Sequence, residues 1–315
     1  MNALARFGRS VLLVLGTGFI LHFFSETVFW SVWRPGEDAA GRIVGLLIYS
    51  LFGYLTLAVI RLFRIADIWM LVLAGAFFGW SCEGVYAMTV YGDASMPFPL
   101  TIAWTALAWH GPLSLVLGWY ALGRALRSQN AGPSLALSLG LGAFWGVWAL
   151  GWRGETPPVA VEPDAFFVHA AVGTACLALA HVAVALGRPA GFAPSRWAVA
   201  LAALPVIAFF AAVTVPTVPM AALVLPVLLA VLYLALRRHR THRPDDSVLA
   251  EFGRPIRIAN MAAMAAMPVA ATAVYAEASG APPDPTLHPT LAIVTMIIGT
   301  TAFIIGYWRT IRRRV

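Results

Sequence analysis

The stretch IWMLVLAGAFFGWSCEGVYAMTVY, Ile68 to Tyr91, decides the fold, because it is an apolar run with one charge in it, Glu83. At ~1.5 Å of rise per residue such a run is long enough for a helix to cross the roughly 30 Å of hydrocarbon in a bilayer. It reads as a transmembrane helix. A carboxylate inside it costs a few kcal/mol by insertion measurements, so it is expected to face a protein interior or a wet cavity.

The rest of the chain agrees with that solvent. Hydrophobic residues make up 60% and charged residues only 11% of the 315, and the mean hydropathy is +0.80; this balance excludes an ordinary water-soluble domain. Apolar runs of similar length lie near 10 to 32, 41 to 60, 68 to 91, 98 to 122, 134 to 152, 165 to 187, 197 to 214, 219 to 236, 258 to 276 and 289 to 308. The fold class is therefore all-α, a polytopic integral membrane bundle of about ten helices. Pro216 and Pro219 in VTVPTVPM are read as a tight turn between two spans, not a kink within one.

Orientation follows from arginine. The chain has no lysine, and only Arg34, Arg42 and Arg153 of its 21 basic residues fall in loops opposite the N-terminus if ten spans are counted. Positive charge collects on the cytoplasmic side, so both termini are expected there, in a plasma (inner) membrane. The opposite face then carries Glu37, Asp38, Asp93, Glu155, Glu162, Asp164, Glu277 and Asp284. The net charge of +7 is explained by this topology and by membrane lipids as partners, without nucleic acid.

Several features carry no chemistry on this reading. MNALARFGRS and the apolar VLLVLGTGFIL resemble a signal peptide, but no small-residue cleavage site follows and the run continues through His22 and Glu26 to Trp30; it reads as an uncleaved first span. Cys82 and Cys176 lack metal or CxxC spacing. His239 and His242 in RRHRTHRPDD lack the partners a metal site needs. Met261, Met264 and Met267 suit helix packing better than Cu(I). SVLAEFGRPIR, 247 to 257, reads as a short interfacial helix.

The chemistry is concentrated in one half. Residues 1 to 153, the first five spans, hold ten of the twelve tryptophans and the intramembrane polar residues, whereas 154 to 315 are rich in Ala, Val and Leu and read as scaffold. Five plus five spans is the topology of an inverted repeat, although no motif is shared between the halves. In topology alone this architecture resembles the drug/metabolite transporters; the Trp-Gly dipeptide of their first span is missing from 10 to 32.

Counting from span midpoints places Glu83 about 6 Å and Glu26 about 8 Å outward, with His22 and His110 near the midplane. His22 and Glu26 share one helix face, one turn apart. Glu83 continues the stripe Gly75, Gly79, with Tyr86 close by, and small residues of this kind let a neighbouring helix approach. In AWHGPL, Gly111 and Pro112 follow His110, and proline frees the carbonyl four residues earlier, at Ala108. Glu26, Glu83 and His110 are therefore expected to point into one shared cavity. His22, Tyr86, Trp104 and Trp109 complete the candidate proton or substrate site, and His169 is a weaker candidate. For each the bland alternative is a packed or snorkelling side chain, and for Glu83 a neutral acid bonded to Tyr86 or to a backbone carbonyl.

Three function classes remain open. A small-solute transporter, proton-linked through Glu83 and Glu26, leads. A membrane enzyme acting on a lipid or isoprenoid would use the carboxylate and histidine as acid and base; its metal-dependent variant would use His22, Glu26, Glu83 and His110 as zinc ligands. An accessory subunit or assembly factor is the third. No cofactor, substrate or oligomeric state is specified by these residues.

Overall fold

The computed structural model describes residues 3–34, 38–93, 96–238 and 247–312. Ten helices are long and apolar enough to cross a membrane, as expected: α1 Leu4–Trp30, α2 Ala39–Leu62, α3 Ile68–Ala87, α4 Leu100–Ala125, α5 Gly132–Gly154, α6 Pro163–Gly187, α7 Arg196–Thr217, α8 Ala221–Arg238, α9 Ile258–Ser279 and α10 Leu287–Arg312. Among the described residues there is no strand. Glu37, His239 and His242 lie outside the described residues.

Alternation of the helices is supported by the bonds between loops. Near one face, Val248 N donates to Ile65 O at 2.8 Å and Arg257 N to Leu126 O at 3.0 Å. Near the other, Arg153 bonds the carbonyls of Ala278 and Ala281, and Tyr275 bonds Val161. Each pair joins segments that ten alternating crossings put on the same side. α7 and α8 are separated by the turn expected at Pro216 and Pro219, closed by Ala221 N to Val218 O at 2.9 Å.

The bundle is unevenly buried. α3 and α4 are largely enclosed, and α7 is almost wholly exposed along its length. α1 packs against α2 and α6, and α5 against α9. Gly142 lies against the Met267 backbone, and Met264 and Met267 are buried, so the methionine stripe is packing between α9 and α5.

The expected interfacial helix is a correction. Val248–Gly253 forms a 3-10 turn whose Val248, Leu249 and Phe252 are buried in the protein. Phe252 stacks on Trp119 with ring centroids 4.6 Å apart, so this segment closes the bundle end instead of lying on lipid. Arg127 beside it bonds Gly123 O and Arg254 O, and burial pushes its guanidinium down to about 10.

Candidate functional site

α3 delivers Glu83 through close backbone packing. A Cβ on Gly75 would stand 2.7 Å from Gly111 Cα, and one on Gly79 would stand 2.7 Å from Ala106 Cα. Only glycine permits that approach, which seats α3 on the backbone of α4 over residues 106 to 111. The next residue of the stripe, Glu83, then meets His110.

α4 is unusual there. It begins with a 3-10 turn, Leu100–Ile102, passes Thr105 at φ +32°, and continues as a wide π-helix over Ala106–Leu122. His110 N accordingly bonds Thr105 O, five residues back, at 2.8 Å. A positive φ on a β-branched residue is strained, and wide turns within membrane helices recur at functional sites. The wide turn also moves the expected free carbonyl: with i to i+5 bonding, the amide that Pro112 lacks would have served Leu107, not Ala108. Gly299 of α10 leaves room at that Leu107 carbonyl, where a Cβ would collide.

Two more wide turns complete the site. In α1, Phe23–Thr27 is π-helical and presents Ser25 to α4 and Glu26 to α2. In α3, Glu83–Ala87 is π-helical, and Met88 at φ +62° then ends the helix, short of the expected Tyr91. That early stop returns Thr89 to Glu83.

A buried chain of polar groups results. Glu83 Oε1 pairs with His110 Nε2, and the Thr89 hydroxyl donates to Oε2. His110 Nδ1 lies 2.6 Å from Ser25 Oγ, which lies 2.9 Å from Ser114 Oγ. Glu83 is 6% exposed and His110 3%. Thr105 faces the same carboxylate.

Glu26 occupies a different setting. Tyr49 OH donates to its Oε1 at 2.5 Å and Trp30 Nε1 to its Oε2 at 2.8 Å. It lines an open cavity of about 350 Å³ with His22, Trp30, Asp38, Arg42, Tyr49 and Tyr86, within the size range of small-ligand sites. His22 rests beside Gly45 and meets the Tyr49 ring edge-on, centroids 5.3 Å apart.

The single shared cavity is thus not what forms. Glu83 and His110 do not line the pocket; the Tyr49 ring, 6.5 Å from that of His110, stands between. The physical reason is hydrogen bonding: each oxygen of Glu83 has a partner within the α3–α4 interface, so nothing draws it into the open space. Glu26 remains within electrostatic reach of both Glu83 and His110.

Other candidates fall elsewhere. Tyr86 is 46% exposed, and the polar partners of Glu83 are His110 and Thr89, not Tyr86. Trp104 and Trp109 are buried away from the cavity in an aromatic cluster; Trp109 Nε1 donates to Phe24 O at 2.7 Å and its ring lies 4.6 Å from that of Trp148. His169 packs against Trp145, and His181 is buried near Gly123 and Phe252. Among the described residues no three His, Cys, Asp or Glu side chains are placed to hold a metal ion, which removes the four-ligand zinc set. Cys82 and Cys176 are unpaired thiols.

Sequence reasoning passed over Ser25, Tyr49, Thr89 and Ser114. Ser114 had a local signal, since it follows His110 by four residues, and Ser25 sits between His22 and Glu26. Tyr49 and Thr89 had none, because their roles depend on how α2 packs and where α3 stops. Compared with known proteins, the chain matches no protein-family model, no curated protein and no solved structure.

Proposed function

We propose that this integral membrane protein is a proton-linked transporter of a small solute, in which the Glu83–His110 pair carries the proton and the Glu26 pocket receives the solute. The observation that carries this reading is the buried pair itself, sealed between α3 and α4 and one tyrosine ring away from an open cavity. A carboxylate joined to an imidazole takes up one proton with little change in shape, and exchange with the pocket requires Tyr49 to move. Structural ion pairs are costly in a membrane, so a pair kept beside a cavity favours use over support. In this reading residues 154–315 act as scaffold, and the arginine-rich face is cytoplasmic in a plasma (inner) membrane.

Two experiments test it. In proteoliposomes on a solid-supported membrane, a panel of metabolites under a proton gradient should give transient currents with the native protein and none with Glu83→Gln. Equal currents with equal pH dependence in both would remove Glu83 from the mechanism. For orientation, cysteine placed at Glu162 in a protein without Cys82 and Cys176 should react with an impermeant maleimide in intact cells. Reaction only after permeabilisation would invert the topology.

A second reading has one specific observation in its favour. Ser25, His110 and Glu83 stand in the order hydroxyl, imidazole, carboxylate, that of a nucleophile, its base and the group that orients the base. A lipid-directed enzyme would use that order. Ser25 is only 4% exposed and does not line the cavity, so this reading comes second. Labelling of Ser25 by a fluorophosphonate would promote it.

A further inference from the structure

Resting on the proton-linked reading of the Glu83–His110 pair, we infer that Ser25 and Ser114 form a reversible hydrogen-bond pair that positions His110 and lets its buried ring gain and lose a second proton. An ionised Glu83 only accepts, so His110 Nε2 carries the hydrogen between them. In the neutral ring Nδ1 is then an acceptor, and Ser25 must donate across the 2.6 Å contact. Ser25 in turn accepts from Ser114 across 2.9 Å.

Loading one proton reverses this order. With both ring nitrogens protonated, Nδ1 donates to Ser25, Ser25 turns its hydrogen to Ser114, and Ser114 turns its own to a backbone carbonyl one turn back in α4. No covalent bond beyond the added N–H forms or breaks; two hydroxyls rotate. A backbone carbonyl in the place of Ser25 would bond only the charged ring, and an amide N–H only the neutral one. Hydroxyl groups serve both states. This matters because the ring and both serines are buried, and an unpaired polar group there has no water to turn to.

The titratable groups that face His110 are Glu83 of α3, Glu26 of α1 and Tyr49 of α2, with Cys82 beside Tyr49. All of these are distinct from the Ser25 contact on Nδ1. Removing the Ser25 hydroxyl therefore changes the partner of one ring nitrogen and leaves these charges in place.

The test uses the full-length protein with ¹⁵N-labelled histidine in lipid nanodiscs, with His110→Gln assigning the resonance. Native His110 should pass from the Nε2–H tautomer to the doubly protonated ring as pH falls, with one midpoint. Ser25→Ala should bind that proton about tenfold more weakly, a midpoint lower by about one pH unit, and Ser25→Thr should restore it. Ser114→Ala should shift the midpoint in the same direction by less. A midpoint and tautomer unchanged in Ser25→Ala, while the native ring titrates, would overturn this inference and leave the proton-linked reading standing. A native His110 that holds one protonation state across the whole stable pH range would overturn both. Should Ser25→Ala misfold, a Ser25→Thr midpoint unlike the native one decides against the pair.

Discussion

Glu83 and Glu26 are two membrane carboxylates set in opposite ways. Glu83 is sealed between α3 and α4, bonded to an imidazole and a threonine; Glu26 lines an open cavity, bonded to a phenol and an indole. The first has a basic partner that can share a proton, the second only neutral donors. Their difference shows that depth in the membrane does not set a carboxylate's role. What sets it is which neighbours reach it, and backbone packing decides that.

The largest effect should separate the two acids by stability. Glu83→Leu leaves a buried His110 and a half-buried Thr89 without their partner, and breaking a buried pair from one side costs roughly 3–5 kcal/mol. Glu26→Leu removes neutral hydrogen bonds at an open pocket and should cost about 1–2 kcal/mol. Thermal unfolding in one detergent compares them directly. Equal losses would erase the distinction between sealed and open.

Next in size is the packing that brings Glu83 to His110. Gly79→Val drives its side chain into Ala106 and should cost about 1–3 kcal/mol as an overpacked contact. It should also abolish activity with Glu83 still present. Gly45→Ala is the matching change at the pocket, where a Cβ would stand 3.2 Å from His22 Nε2. It should narrow the cavity and leave stability within about 0.5 kcal/mol of native. If Gly79→Val folds and works normally, the close approach of α3 to α4 is not what positions the pair.

The smallest effect concerns the divider. Tyr49→Phe deletes the hydroxyl given to Glu26 and should cost about 1 kcal/mol. A double-mutant cycle of Tyr49→Phe with Glu26→Gln should show coupling above about 0.5 kcal/mol, and one with Glu83→Gln less than that. The reverse order would place Tyr49 with the sealed pair.

Much of this was legible in the sequence, and the boundary is physical. Apolar length and arginine spacing specify ten crossings because both act locally along the chain. The glycine stripe of α3 likewise announced a packing face, and that face seats Glu83 on α4. The shared cavity was not legible, since midpoint counting gives depth and says nothing about rotation. Wide π-turns at Ser25, Glu83 and His110 rotate each side chain away from an ideal helix, and no residue pattern in these segments announces them. The early end of α3 at Met88, which returns Thr89 to Glu83, was hidden for the same reason: the apolar run continues unbroken past it.

The central claim is that the buried Glu83–His110 pair takes up and releases a proton in the folded protein, and infrared pH-difference spectroscopy of the purified protein in lipid tests it without knowledge of the solute. The difference between acid and alkaline spectra should contain a carboxylate component, perturbed as the imidazole bonded to it gains its proton, that is lost in Glu83→Gln and kept in a control such as Glu277→Gln on the exposed face. Identical difference spectra for the native protein and Glu83→Gln would contradict the account, and would make the Glu83–His110 pair a fixed strut between α3 and α4.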